Sequence, residues 1–133
     1  MGIPCPKPVP SAITKRHKRL DAEKTLKDAY TEVDLRDGGY CWITGRYTQS
    51  GAVDARVRRE HHHLVSRSVD PTRIADPHNI ITACAEAHAL FKAGWLVSEG
   101  DDARKPIFFH WAAHVDAKDK PFTIQARRQR TDA

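Results

Sequence analysis

An α+β fold in a single domain is what this chain predicts, on three observations. A helical stripe lies near the N-terminus, a β-branched run passes directly into a second helical segment, and aromatic strand candidates follow in the last third. Its 133 residues suit one compact core. No repeat of the kind that builds solenoids is present.

Residues 1–10, MGIPCPKPVP, carry four prolines, which fix φ and remove backbone donors, so residues 1–14 are expected to be a flexible lead-in. The basic run Lys15, Arg16, His17, Lys18, Arg19 follows with no acid before Asp21. It reads equally as a solvated helix start or as an arm laid along a nucleic-acid backbone. From Ala22 to Leu35, apolar residues at Leu26, Ala29, Tyr30 and Val33 recur at spacings of three and four, one face of an amphipathic helix. Asp37-Gly38-Gly39 ends it, because glycine takes positive φ at little cost. The stripe is expected to pack on the segment around residues 58–93. Arg46 to Glu60 is polar and reads as a loop or hairpin, with Arg56, Arg58 and Arg59 as a basic edge. Ile80-Ile81-Thr82 is β-branched throughout, a strand, and Ala83 to Ala93 reads as a helix. Trp95-Leu96-Val97 and Ile107-Phe108-Phe109 are strand candidates on either side of a turn at Gly100-Asp101-Asp102. His110 and His114 have helical metal-pair spacing, but the aromatic run before them argues against a helix.

A formal charge of +5 and a pI near 9.3 favour an anionic partner, since Lys and Arg displace counterions from phosphates. Cys5, Cys41 and Cys84, odd in number and widely spaced, make a poor disulfide framework and suit a reducing compartment. No apolar run approaches membrane-spanning length and no signal core opens the chain, so a cytoplasmic location is expected.

The densest chemistry is His62-His63-Leu64-Val65-Ser66-Arg67-Ser68, then Asn79-Ile80-Ile81, then Cys84 and His88. In order and spacing this resembles the HNH endonuclease family, whose motif is a ββα-metal finger of two antiparallel strands and a helix around one divalent ion. The resemblance covers about a quarter of the chain, residues 58–93 of a domain expected over 15–115. It implies a ββα-metal (His-Me) finger here, with an N-terminal helix and extra C-terminal strands added to it. It also implies a metal-dependent DNA endonuclease, with His62 and His88 as metal ligands, His63 as general base and Asn79 as the residue that orients loop and base. Histidine suits the base role because it is largely neutral yet basic near pH 7. Adjacent strand residues face opposite ways, which gives neighbouring histidines different tasks. His61 is then a flank. Arg67, expected near the end of the first strand, together with Arg56, Arg58 and Arg59, would contact DNA phosphates.

Two departures from the family pattern bear on metals. Many relatives hold a structural zinc on two CxxC pairs; here these read Cys41/Thr44 and Cys84/Ala87, each short of one sulfur, so no structural zinc is expected. Instead Cys41 and Cys84 should pack near one another, with Trp42 and apolar neighbours filling the space. A further histidine of some relatives is replaced by Lys92, leaving a sparse two-ligand site completed by water and phosphate oxygens. Mg²⁺ or Mn²⁺ is the first expectation, with Zn²⁺ or Ni²⁺ as alternatives. Glu86 is a possible but unforced extra ligand. The resemblance further suggests a phage setting, with DNA as partner and packaging proteins such as terminase or portal beside it. The rival reading is an HNH-fold DNA-binding module without catalysis. Residues 116–133, with Arg127, Arg128 and Arg130, are expected to form a basic tail.

Overall fold

The computed structural model describes residues 12–125, with side chains described from residue 22 onward. In it α1 (Ala12–Asp37) is followed by β1 (Arg59–His63), β2 (Ile80–Cys84), α2 (Ala85–Lys92), β3 (Leu96–Glu99) and β4 (Phe108–Trp111). The class is α+β, as the patterns predict, with two antiparallel two-stranded sheets, β1-β2 and β3-β4.

Every residue of β2 is buried, and the rest of the molecule is arranged on its two faces. Alternation sends Ile80 toward α1, where it packs with Ala29 and Val33 and with the partly buried Leu26 and Tyr30. Ile81 and Ala83 face the other way, into a larger core with Trp42, Ile43, Ala87, Leu96, Ile107 and Phe122. A β-branched run suits this position because both faces are dry. The helical stripe Leu26–Tyr30–Val33 therefore packs as expected.

β1 covers one edge of β2, pairing His61 with Thr82, His62 with Ile81 and His63 with Ile80. The other edge is closed by groups outside any strand. The Trp42 N–H donates to the Thr82 carbonyl (3.0 Å), and the Thr82 N–H donates to the buried Asp37 carboxylate (3.1 Å). Arg36 reaches the carbonyls of Pro77 (2.8 Å) and Ile80 (2.7 Å) while holding Asp37 with the same guanidinium. An unpaired edge of a two-stranded sheet is a liability, and here the C-terminal turn of α1 removes it. The helix stops where Gly38 and Gly39 adopt φ of 63° and 83°. A Cβ at Gly39 would lie 2.6 Å from the Arg59 guanidinium and 2.9 Å from the Tyr47 ring, which would have to shift, and the positive φ itself favours glycine there.

Cys41 and Cys84 meet in the larger core as free, fully buried thiols. The Cys41 sulfur accepts the N–H groups of Ile43 and Thr44, and the Cys84 sulfur that of Ala87. Hydrogen bonding between the two thiols, helped by Thr44, draws the Cys41 thiol down in pKa, and the same pairing together with burial pushes Cys84 up. Trp42 and Ile43 fill the surrounding space.

Several boundaries differ from expectation. α1 begins at Ala12, so residues 12–14 belong to a helix and not to a lead-in. β2 runs on to Cys84, whose sulfur caps α2 by accepting the Ala87 N–H, so the helix starts at Ala85 and not at Ala83. β1 ends at His63, and Arg67 lies four residues on, in a turn. Packing also continues past residue 115: Phe122 is buried and the Gln125 N–H donates to the Ile43 carbonyl (2.9 Å). The basic run Lys15–Arg19 lies on α1, its side chains outside those described, and Cys5 and the tail arginines Arg127, Arg128 and Arg130 lie outside the described residues.

Candidate metal and phosphodiester site

Strand alternation divides the three histidines of β1. His61 turns toward α1, where its ring stacks on Tyr30 at 4.1 Å and its Nε2 donates to Asp34 (2.7 Å). That residue joins the strand to the helix. His62 turns the other way, toward α2, its ring stacked on Phe91 at 4.0 Å and lying 5.7 Å from the His88 ring. Glu60, two residues earlier and so on the same face, accepts the His88 Nδ1–H at 2.8 Å. Its carboxylate fixes the tautomer of His88 and leaves Nε2 as the basic nitrogen, an arrangement common behind metal-bound histidines.

The donor chemistry of this pair fits one divalent ion. Burial, followed by the neighbouring His88 and His63, pushes the His62 pKa down to about 3, so the ring is a neutral imidazole with a lone pair to give. Two imidazoles at this separation can share an ion bonded at about 2 Å. Among the described residues no third His, Cys, Asp or Glu joins them in a group that could hold a metal. Glu86 is occupied elsewhere, facing Arg46 at 3.4 Å. Lys92 is exposed at the end of α2.

His63 lies on the α1 side of β1, its ring edge-on to Tyr30 at 6.3 Å, and its Nε2 meets the Ile74 carbonyl at 2.7 Å. A carbonyl can only accept, so Nε2 donates and Nδ1 takes no part in that bond. The carbonyl is itself positioned by Asn79. That side chain is wholly buried, accepts the Val65 N–H (2.7 Å), and donates to the carbonyls of Val65 (3.0 Å) and Arg73 (3.0 Å), the residue before Ile74. Two proline-started 3₁₀ turns, Pro71–Arg73 and Pro77–Asn79, capped by the side chains of Asp70 and Asp76, shape the loop that this amide ties down.

An open groove of about 450 Å³ runs beside the site, with both His62 and His63 in its lining. The arginines around it are not equivalent. Arg56 is held by Asp54 (2.8 Å), Arg58 faces Glu60 at 4.0 Å, and Arg59, 17% exposed, is committed to Asp34 and Thr48. Arg36, Arg46, Arg73 and Arg104 are likewise ion-paired. Among the described arginine side chains, Arg67 alone has no carboxylate partner, and it stands exposed in the turn that follows β1.

The sequence reading missed Glu60, Asp34 and the Ile74 carbonyl. Only Glu60 had a local signal, its i, i+2 relation to His62. His110 and His114 do not share a helix: His110 lies on β4 facing Glu99 at 3.2 Å, and His114, in a turn, packs edge-on to Trp95. No family model, curated protein or solved structure matches the chain. Among the described residues, no helix is long and apolar enough to cross a membrane.

Proposed function

We propose that this chain is a metal-dependent DNA endonuclease of the HNH type, with β1, β2 and α2 as a ββα-metal finger. The observation that carries the reading is the state of His63. One ring nitrogen is fixed to a loop carbonyl, and the residue lines the groove it shares with His62, whose ring neighbours His88. An imidazole oriented by a loop carbonyl, lining the same groove as the neutral imidazole of His62, is the division of labour that phosphodiester hydrolysis needs.

In this reading His63 takes the proton of the attacking water at Nδ1. Asn79 keeps the Ile74 carbonyl in place, so that the base does not turn away. Arg67, free of any carboxylate, offers its guanidinium fork to two oxygens of the scissile phosphate. His62 and His88 would hold the divalent ion, with Glu60 fixing His88. That ion, when bound, supplies Lewis-acid neutralisation of the phosphoryl oxygen and of the departing 3′ oxygen. With two protein ligands, affinity for Mg²⁺ or Mn²⁺ is low in the absence of DNA.

The test is relaxation of supercoiled plasmid by metal-stripped protein with Mg²⁺, Mn²⁺, Ni²⁺ and Zn²⁺ returned separately, beside His63→Ala. Metal-dependent nicking that is lost in the variant supports the enzyme and its base together. Absence of cleavage under every metal, with equal DNA binding by both proteins, leaves a DNA-binding module.

A further inference from the structure

We propose that the groove beside His62 and His63 receives one unstacked nucleotide, and that the chain therefore acts on single-stranded or unpaired DNA in preference to intact duplex. This substrate class rests on the endonuclease reading for its chemistry.

The wall of the groove is apolar. Leu64, Val65, Val69, Phe91, Leu96 and Val97 line it; its polar members are the two histidines and the hydroxyls of Ser66 and Ser98. No lysine, arginine or carboxylate is among them. A surface made to follow a duplex backbone is lined by cations, because phosphates are what the duplex presents. The cationic residues adjoin the lining along the chain instead. Arg67 shares the turn of Ser66 and Val69, and Lys92 follows Phe91. Neither has an ion-pair partner among the described residues. A nucleotide divides in the same way, into an uncharged base and sugar and an anionic phosphate. With base and deoxyribose on the apolar wall, the phosphate would lie toward His63 and the adjoining cations.

Size and stacking point to the same occupant. A volume near 450 Å³ is comparable with pockets for small organic ligands, about 300–1,000 Å³, so the open wall has room for one nucleoside. In intact duplex the base is paired and stacked, and it reaches such a wall only by leaving the helix. Single strands, bulges and frayed ends have already met that cost. Two hydroxyls, that of Ser66 already bonded to Ser68 at 3.0 Å, read base edges poorly, so the preference is for unpaired structure and not for a base sequence.

The full chain is given a labelled oligonucleotide as a single strand, as perfect duplex and as duplex with an unpaired bulge, with Mg²⁺ or Mn²⁺. We expect kcat/KM on the single strand to exceed that on the duplex by about tenfold or more, and cuts in the bulged duplex to map to the bulge. Val69 is 75% exposed, so Val69→Asp tests the wall without disturbing the core, and it should bring the single-strand rate down toward the duplex rate. Val53→Asp, at a 94% exposed position outside the groove, should leave the ratio unchanged. Equal cutting of duplex and single strand, or a ratio unmoved by Val69→Asp, overturns the subsite and leaves the nuclease standing. If nothing is cut, fluorescence anisotropy of the same DNAs in Ca²⁺ decides. A single-strand preference lost in Val69→Asp supports the groove while the endonuclease reading falls, and equal binding of single strand and duplex overturns the groove as well.

Discussion

Glu60 on β1 accepts the Nδ1–H of His88 on α2 at 2.8 Å, joining the strand of the first candidate ligand to the helix of the second. A carboxylate in that place fixes the tautomer and the direction of the opposite ring nitrogen. Glu60→Gln keeps the shape but weakens both effects. Metal affinity, read by isothermal titration with Mn²⁺, should fall by about 10- to 100-fold, with the fold intact by circular dichroism. Unchanged affinity would mean that the pair serves packing alone.

His63 should behave differently from His62. Removing the base leaves the metal pair whole, so His63→Ala is expected to lower kcat by about 10²- to 10⁴-fold while metal binding persists. His62→Ala should abolish both. If the two variants lose metal together, His63 is not acting only as the base.

Arg59 and Arg67 separate structure from DNA contact. Arg59 is held by Thr48 and Asp34, so Arg59→Ala should cost stability, about 1–3 kcal/mol, through buried acceptors left without a donor. Arg67 has no such ties. Its alanine variant should melt like the parent, bind DNA more weakly and reduce the salt slope of binding by about one. A lowered melting temperature in Arg67→Ala would count against this assignment.

Asn79 replaces a length of ladder. Where β1 would continue past His63, its side-chain amide pairs with both backbone groups of Val65, as another strand residue would. Asn79→Ala should destabilise by about 2–4 kcal/mol, because it strands the Val65 N–H and two carbonyls, and should lower kcat beyond that loss of folded protein. Asn79→Asp keeps the acceptor and loses both donations, so it should be intermediate in stability yet equally poor in turnover.

The same amide explains why Arg67 was misplaced on the strand. Leu64 and Val65 are good strand residues, and their composition says that β1 goes on; what stops it is a side chain 14 positions away. Local periodicity did carry the α1 stripe and the β-branched β2, because burial on one face or on two leaves a pattern in neighbouring residues. The His62, Asn79 and His88 set was legible as spacing. The ties that hold it were not: Asp34 with His61 and Glu60 with His88 span 27 and 28 positions, and nothing in composition selects one acid over another. Phe122 was hidden in the same way, an isolated aromatic in a polar stretch that only the tertiary core explains.

Asp37 makes acid sensitivity the remaining prediction. Burial alone would raise its pKa, but hydrogen bonds and charge from Arg36 and the Thr82 N–H outweigh it, and the carboxyl rests below its ordinary value. A depressed folded-state pKa means that the unfolded chain takes up the proton first as pH falls. The stabilisation is thus complete above the unfolded value of about 3.9 and is lost as pH drops through the lower folded one. Asp54, held down to about 2 by Arg56, titrates in the same region, but it is fully exposed and its ion pair is screened by salt. In high salt, then, the urea midpoint of the parent should fall steeply below about pH 4. Asp37→Asn should be less stable at neutral pH by about 3–5 kcal/mol, since Arg36 keeps a charge without its partner, and should show a flatter acid limb. An acid limb as steep in the variant as in the parent would assign the transition to other carboxylates and leave Asp37 as a cap on the β2 edge whose charge is immaterial.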